Sequence, residues 1–336
     1  MAASAQAWAA RLRAGDRRAL ARAITRAESG RPDHRLEAEA LIDAARPEPG
    51  ARPAVRIGLS GSPGVGKSSF IEAFGLLLTA AGERVAVLAV DPSSSVSGGS
   101  ILGDKTRMER LTRDPNAFIR PSPAGAQLGG VARRTRDAIQ LVEAAGYSVV
   151  LVETVGVGQS EIMVADMTDV FALLIAPAGG DELQGVKRGV MEVADFVLVN
   201  KADGALEGPA KATVSDYSSA LRLLRRRPGD PEDVPAAAPV SAHTGLGLAE
   251  AWDRIKGLHA HRLASGALAA RRAGQGLRAL RREIQAGLWE AFEADQAAAA
   301  TLDALSRAVE AGEITPERAA RVALAAHRGG EARGGE

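Results

Sequence analysis

The chain has 336 residues, with 42 lysines and arginines against 41 aspartates and glutamates, a formal charge of +1. That balance makes no field large enough to hold nucleic acid or an anionic membrane surface, and the absence of cysteine removes disulfides and thiolate metal centres. No apolar run reaches a membrane-spanning length and residues 1–20 lack the apolar centre of a secretory signal, so a soluble protein of a bacterial cytoplasm is expected, with neither nucleic acid nor membrane as partner.

Residues 1–46 carry helical spacing, with Trp8 and Leu12, Leu20 and Ile24, then Leu36, Ala40 and Leu41 on repeating faces. Gly15-Asp16 and Pro32-Asp33 punctuate them, and the proline-rich stretch from Arg46 to Pro53 reads as a linker. Short apolar runs then alternate with helical patterns: Val55–Leu59, Val85–Val90, Val149–Val152, Val170–Ala176, Phe196–Val199 and Ala238–Val240. Such strands imply an α/β fold, a mostly parallel sheet covered by helices on both faces. In these sheets ligands bind beyond the carboxyl ends of the strands. After Leu263 only helical spacing remains, with Leu277, Leu280, Ile284, Leu288 and Phe292 in one stripe, Leu302, Leu305 and Val309 in the next, and Thr315-Pro316 opening a last short helix. That stripe either packs on the parent domain or pairs with a second copy. Three regions are expected: a helical segment over 1–50, a nucleotide-binding domain over 51–264 and a helical segment over 265–336.

The first strand runs into GSPGVGKS, Gly61–Ser68, the pattern of a phosphate-binding loop. Its glycines let successive N–H groups point at one anion, Lys67 reaches the β- and γ-phosphates, and the Ser68 hydroxyl can ligate Mg²⁺ where a helix begins. The expected nucleotide contacts here are Gly61, Pro63, Gly64, Val65, Gly66, Lys67, Ser68 and Ser69.

Later strands deliver further candidates. Asp91 follows Val90, where an acid can hold Mg²⁺ through water or simply cap a turn, and Asp104 is a second candidate in the polar, glycine-rich stretch that follows. Glu153 opens ETVGVGQSE, with the acid near Mg²⁺ and the Gly156 N–H three residues on, placed to sense a γ-phosphate. Val157 follows Gly156 where a water-orienting glutamine would be needed, so slow hydrolysis by the chain alone is expected.

The last base-reading group is NKAD, Asn200–Asp203. The Asp203 carboxylate matches the N1–H and 2-amino donors of guanine, Lys201 covers the base with its stem, and Asn200 braces the loop. Ser241 and Ala242 would complete the pocket, the Ala242 amide facing guanine O6. The stretch Pro177–Glu192 is either a solvated loop and helix face or a third switch.

These motifs, with FIRPSPAGAQLGGVARRT and APAGGDELQGVKRGVMEVAD, resemble the MeaB/ArgK family, the G-protein chaperones of adenosylcobalamin-dependent acyl-CoA mutases. The resemblance covers nearly the whole chain and is weakest after Ser265. It implies a P-loop NTPase of the SIMIBI-type G-domain class with N-terminal helices and a C-terminal helical dimerisation arm. It further implies GTP hydrolysis to GDP and phosphate, Mg²⁺, a homodimer and a mutase partner whose cofactor delivery is gated and whose activity is protected or rescued. No cobalamin bound by this chain is implied. By matching position, Lys67 and Ser68 bind phosphate and metal, and Asp91, Asp104 and Glu153 surround Mg²⁺. Gln184 and Lys187 fall in the partner-responsive segment, Lys187 moving in to neutralise charge in the transition state. Three readings compete: a P-loop kinase tied to amino-acid transport, a nickel metallochaperone GTPase, and a scaffold that only binds nucleotide. The metallochaperone would need Cys and His ligands, and the scaffold fits poorly with an intact Lys67, Ser68 and Glu153.

Overall fold

The computed structural model describes residues 2–48, 50–90, 108–121, 128–154, 160–177, 188–224 and 226–331. Three helices open the chain, α1 (Ala2–Arg13), α2 (Arg17–Glu28) and α3 (Pro32–Ala44). Asp16 caps α2, its carboxylate accepting from the Arg18 and Ala19 N–H groups, and Pro32 sits where its missing N–H costs nothing.

Next come β1 (Val55–Gly61), α4 (Lys67–Ala80), β2 (Val85–Val90), α5 (Glu109–Arg113), β3 (Ala117–Arg120), α6 (Leu128–Ala144) and β4 (Val149–Thr154). The chain continues through α7 (Ser160–Ala165), β5 (Val170–Ile175), α8 (Arg188–Val193), β6 (Phe196–Val199), α9 (Glu207–Arg222), β7 (Ala236–Pro239) and α10 (Leu248–Ala264). The strands form one seven-stranded sheet in the order β3-β2-β4-β1-β5-β6-β7, every pair parallel. The expected α/β sheet is therefore present, and β3 is an edge strand beyond the six apolar runs.

Alternation along each strand divides the core between the two faces. Ile57 and Leu59 join Phe70, Phe74 and Trp252 on the face covered by α4 and α10. On the other face Val150, Val152 and Phe171 pack with Leu20 and Ile24 of α2 and with Ile139 and Val142 of α6. Gly58 points the same way, and a Cβ there would lie 2.7 Å from Phe171 and 2.9 Å from Val164. A bare backbone at this point lets α7 sit close against β1.

At the amino ends of the strands lies a buried ionic cluster. Asp195, fully buried, accepts from the Phe171 N–H at 2.8 Å and from Arg262 at 2.7 Å, and also from Arg227. Asp169, likewise buried, accepts from the Arg56 N–H at 3.0 Å and from both Nε and Nη2 of Arg272. Each carboxylate thus has backbone and guanidinium donors, the condition for burying charge.

Residues Met1–Gln275 form one compact unit and Gly276–Glu336 another. The second contains most of α11 (Ala267–Ala294), with α12 (Gln296–Glu310) and α13 (Pro316–Glu331). The last of these is a 16-residue helix where a short one was expected. The small core of this unit is Phe292, Ala298 and Ala323, with Phe292 stacked on Trp289 at 5.7 Å. The stripe on α11 divides: Phe292 is buried, while Leu277, Leu280, Ile284 and Leu288 are each more than half exposed.

Candidate functional site

β1 is flanked by β4 and β5, so the loop leaving its carboxyl end lies over the middle of the sheet. That loop is the GSPGVGKS turn. A Cβ on Gly61 would stand 2.3 Å from the Leu174 carbonyl oxygen of β5, so only glycine lets the two strands stay paired there. Gly66 takes the left-handed conformation, φ 90°, as the residue before α4, and offers that helix no side-chain cap. The first-turn N–H groups of α4 are thereby directed toward the loop, the geometry that binds an anion.

Lys67 folds back across the loop, its Nζ 2.7 Å from the Gly61 carbonyl and 3.3 Å from that of Ser62. Burial lowers its pKa, opposed by the nearby carboxylates of Glu153 and Glu161. Ser68 sits half-buried in the first turn of α4, whereas Pro63 and Ser69 are exposed. Glu153 is buried near the end of β4, in register with Leu59 of β1. One residue on, the Thr154 hydroxyl donates to Ser60 Oγ at 2.8 Å, both groups buried. That hydroxyl pair ties β4 to β1 at the mouth of the loop. It had a sequence signal only in hindsight, as polar residues ending two apolar runs.

The NKAD segment, at the end of β6, reaches across to the phosphate loop. Asn200, almost fully buried, donates from Nδ2 to the Val65 carbonyl at 2.9 Å and accepts the Ala242 N–H at 3.2 Å through Oδ1. Lys201, with φ 61°, donates from Nζ to the Gly64 carbonyl at 2.8 Å. Asp203 accepts from the Ser241 hydroxyl at 2.8 Å, and Ser241 Oγ in turn accepts the Thr244 N–H at 3.1 Å. Gly61, Gly64, Val65, Gly66, Lys67, Asn200, Lys201, Asp203, Ser241 and Ala242 thus belong to one connected set. Asp91, Asp104, Gly156, Gln184 and Lys187 lie outside the described residues.

For Mg²⁺ the described part of the site offers the Ser68 hydroxyl and the Glu153 carboxylate, hard oxygen donors of the kind this ion takes. Among the described residues no group of three His, Cys, Asp or Glu is assembled to hold a metal. No helix among the described residues is long and apolar enough to cross a membrane.

Comparison with known proteins agrees with this geometry. A family model described as "Methylmalonyl Co-A mutase-associated GTPase MeaB" matches residues 20–297. The mouse protein "Methylmalonic aciduria type A homolog, mitochondrial" is 48% identical over 324 residues, 94% of this chain and 77% of its own. GTPase ArgK of Escherichia coli is 48% identical over 275 residues, 82% of each chain. A solved structure, described as that of a LAO/AO transport system kinase, superposes with a TM-score of 0.75 at 36% identity, over 96% of this chain and 97% of that one. With a family model matching residues 20–297 and a relative 48% identical over 94% of its length, the chain belongs to the MeaB family of methylmalonyl Co-A mutase-associated GTPases.

Proposed function

We propose that this GTPase serves as chaperone to an adenosylcobalamin-dependent acyl-CoA mutase, using GTP hydrolysis with Mg²⁺ to gate cofactor delivery and to protect or reactivate its client. The observation that carries the nucleotide part is the direct wiring of Asn200 and Lys201 to the carbonyls of Val65 and Gly64. The loop that would read the base and the loop that would hold the phosphates then share hydrogen bonds, so each senses the occupancy of the other. The family's mutase association supports the choice of client.

In this reading Lys67 and the first turn of α4 bind the phosphates, and Ser68, Glu153, Asp91 and Asp104 hold Mg²⁺. Asp203, Ser241 and Ala242 read guanine, Gly156 senses the γ-phosphate, and Gln184 and Lys187 answer the mutase. The exposed Leu277, Leu280, Ile284 and Leu288 suit a second copy of the chain, because apolar side chains at helical spacing gain by leaving water together. Sedimentation at several concentrations tests that part: a homodimer is expected, and a monomer at all of them refutes it.

The decisive experiment is GTP hydrolysis by the purified chain, alone and with each candidate acyl-CoA mutase at equal concentration. Slow basal turnover and strong stimulation by one mutase are expected. No stimulation by any of them removes the chaperone role. A kinase is the second reading, and it rests on the similarity to the solved LAO/AO transport system kinase. A kinase passes the γ-phosphate to an acceptor other than water, so quantitative release of inorganic phosphate separates the two.

A further inference from the structure

Helix α7 is six residues long and begins at Ser160, directly after the 155–159 segment that carries the γ-phosphate-sensing motif. Its end is closed in part locally, the Ile162 carbonyl accepting the Asp166 N–H at 2.9 Å and the Val164 carbonyl accepting the Met167 N–H at 3.1 Å. The Ala165 carbonyl and the turn that follows the helix are held from elsewhere in the fold. The Thr168 carbonyl accepts from Arg271 Nε at 3.0 Å and from Gln275 Nε2 at 2.8 Å, and the Ala165 carbonyl accepts from Arg271 Nη2 at 3.3 Å. Next along, the Asp169 carbonyl accepts from Arg262 at 2.6 Å and its carboxylate from Arg272. Gln275 is buried, as are Thr168 and Asp169.

The cation is placed where a helix C-terminus is negative, so the contact suits α7 as it stands. Thr168 Oγ1 and Val164 also press against Gly58 of β1, which fixes the same end laterally. Helix α8, which follows the 178–187 segment, packs on α7 as well, with Gly189 beside Ile162. α7 therefore follows the 155–159 segment in the chain, packs against α8, and is held at its other end and in the turn beyond it by side chains of α11. Arg271 and Gln275 stand four residues apart, on one face of a continuous helix that runs on to Ala294.

We propose that Arg271 and Gln275 are positioning residues that hold the C-terminal end of α7 and the turn after it, and so couple the nucleotide state of the 155–159 segment to helix α11. This rests on the reading of that segment as the γ-phosphate sensor. A γ-phosphate that draws the leading end of α7 loads the bonds at its trailing end, and by reciprocity the state of α11 alters preference between GTP and GDP.

The test compares the full chain carrying GDP with the chain carrying a non-hydrolysable GTP analogue by hydrogen–deuterium exchange over 267–294. Wild type should exchange differently in the two states. The double variant Arg271→Ala/Gln275→Ala should lose that difference while its ratio of GDP to GTP-analogue affinity moves by about fivefold, the low end of allosteric couplings. Identical exchange in the two wild-type states overturns the proposal. So does a double variant that keeps both the difference and the ratio. Should the double variant not fold, Gln275→Leu, which removes one donor and keeps the bulk, must shrink the exchange difference, and an unchanged difference refutes the coupling. Failure of the sensor reading itself would appear separately, as equal affinity of wild type for both nucleotides.

Discussion

Asn200→Asp offers the sharpest test of the wiring between base loop and phosphate loop. The substitution keeps size and keeps an acceptor for the Ala242 N–H, but replaces the Nδ2 donor by an oxygen facing the Val65 carbonyl 2.9 Å away. The side chain is 1% exposed, so water cannot take the lost partner's place. A buried carbonyl left unpaired costs about 1–3 kcal/mol, more when a charge faces it. We take about 3 kcal/mol, equivalent to about 150-fold in nucleotide affinity. Fluorescence titration with a labelled GDP at pH 7.5 measures it against wild type. The penalty should shrink at pH 5.5, because a protonated carboxyl regains an O–H that can donate to Val65. A GDP affinity within threefold of wild type at pH 7.5, or a penalty equal at both pH values, would refute the role assigned to Asn200.

Asp203→Asn should shift base preference from guanine toward xanthine, because the carboxylate acceptor for the guanine donors is lost; competition between GTP and XTP reads it, and unchanged GTP preference removes Asp203 from the pocket. Gly61→Ala should cost about 3 kcal/mol in urea unfolding, since its Cβ would meet the Leu174 carbonyl at 2.3 Å; an unaltered midpoint would mean that β1 and β5 part freely. His259 is buried and its pKa is lowered, chiefly by burial and against the pull of Asp169. The unfolded chain then takes up a proton on this ring near pH 6.5, before the folded chain does, so stability falls as pH drops below 6.5 until the folded ring also titrates. His259→Asn should flatten melting temperature against pH between 7.5 and 5, and a parallel curve excludes His259 as the cause. Chelating Mg²⁺ with EDTA should abolish GTP hydrolysis reversibly while GDP still binds; metal-independent turnover would dismiss the roles of Ser68 and Glu153.

Much of the sheet was legible because buried parallel strands show as unbroken apolar runs, as in Val85–Val90 and Val170–Ile175. β3 escaped because four residues, Ala117–Arg120, follow a turn at Asp114-Pro115-Asn116 and end in an arginine. β7 showed only its tail, since Ala236–Ala238 carry none of the branched side chains that mark a strand. The phosphate loop was legible because its backbone path demands glycine at fixed spacing. The bonds from Asn200 and Lys201 to that loop join residues more than 130 positions apart, and no local pattern encodes them. Glu161 likewise read as the close of a motif, while the fold buries it within electrostatic reach of Lys67. Asp169 and Asp195 stand just before strands, where an acid ordinarily marks a turn, so nothing local announced the cluster they anchor.

That cluster bears on which sequences the fold can accept. Asp195 serves Arg227, Arg262 and a backbone amide at once, and Asp169 serves Arg272 and another amide. Removing any one member strands a buried charge, so single replacements here are strongly disfavoured while concerted replacement by apolar residues can be neutral. Drift at the foot of the sheet must therefore proceed in blocks, and a change at Asp195 in any relative is expected to travel with changes at Arg227 and Arg262.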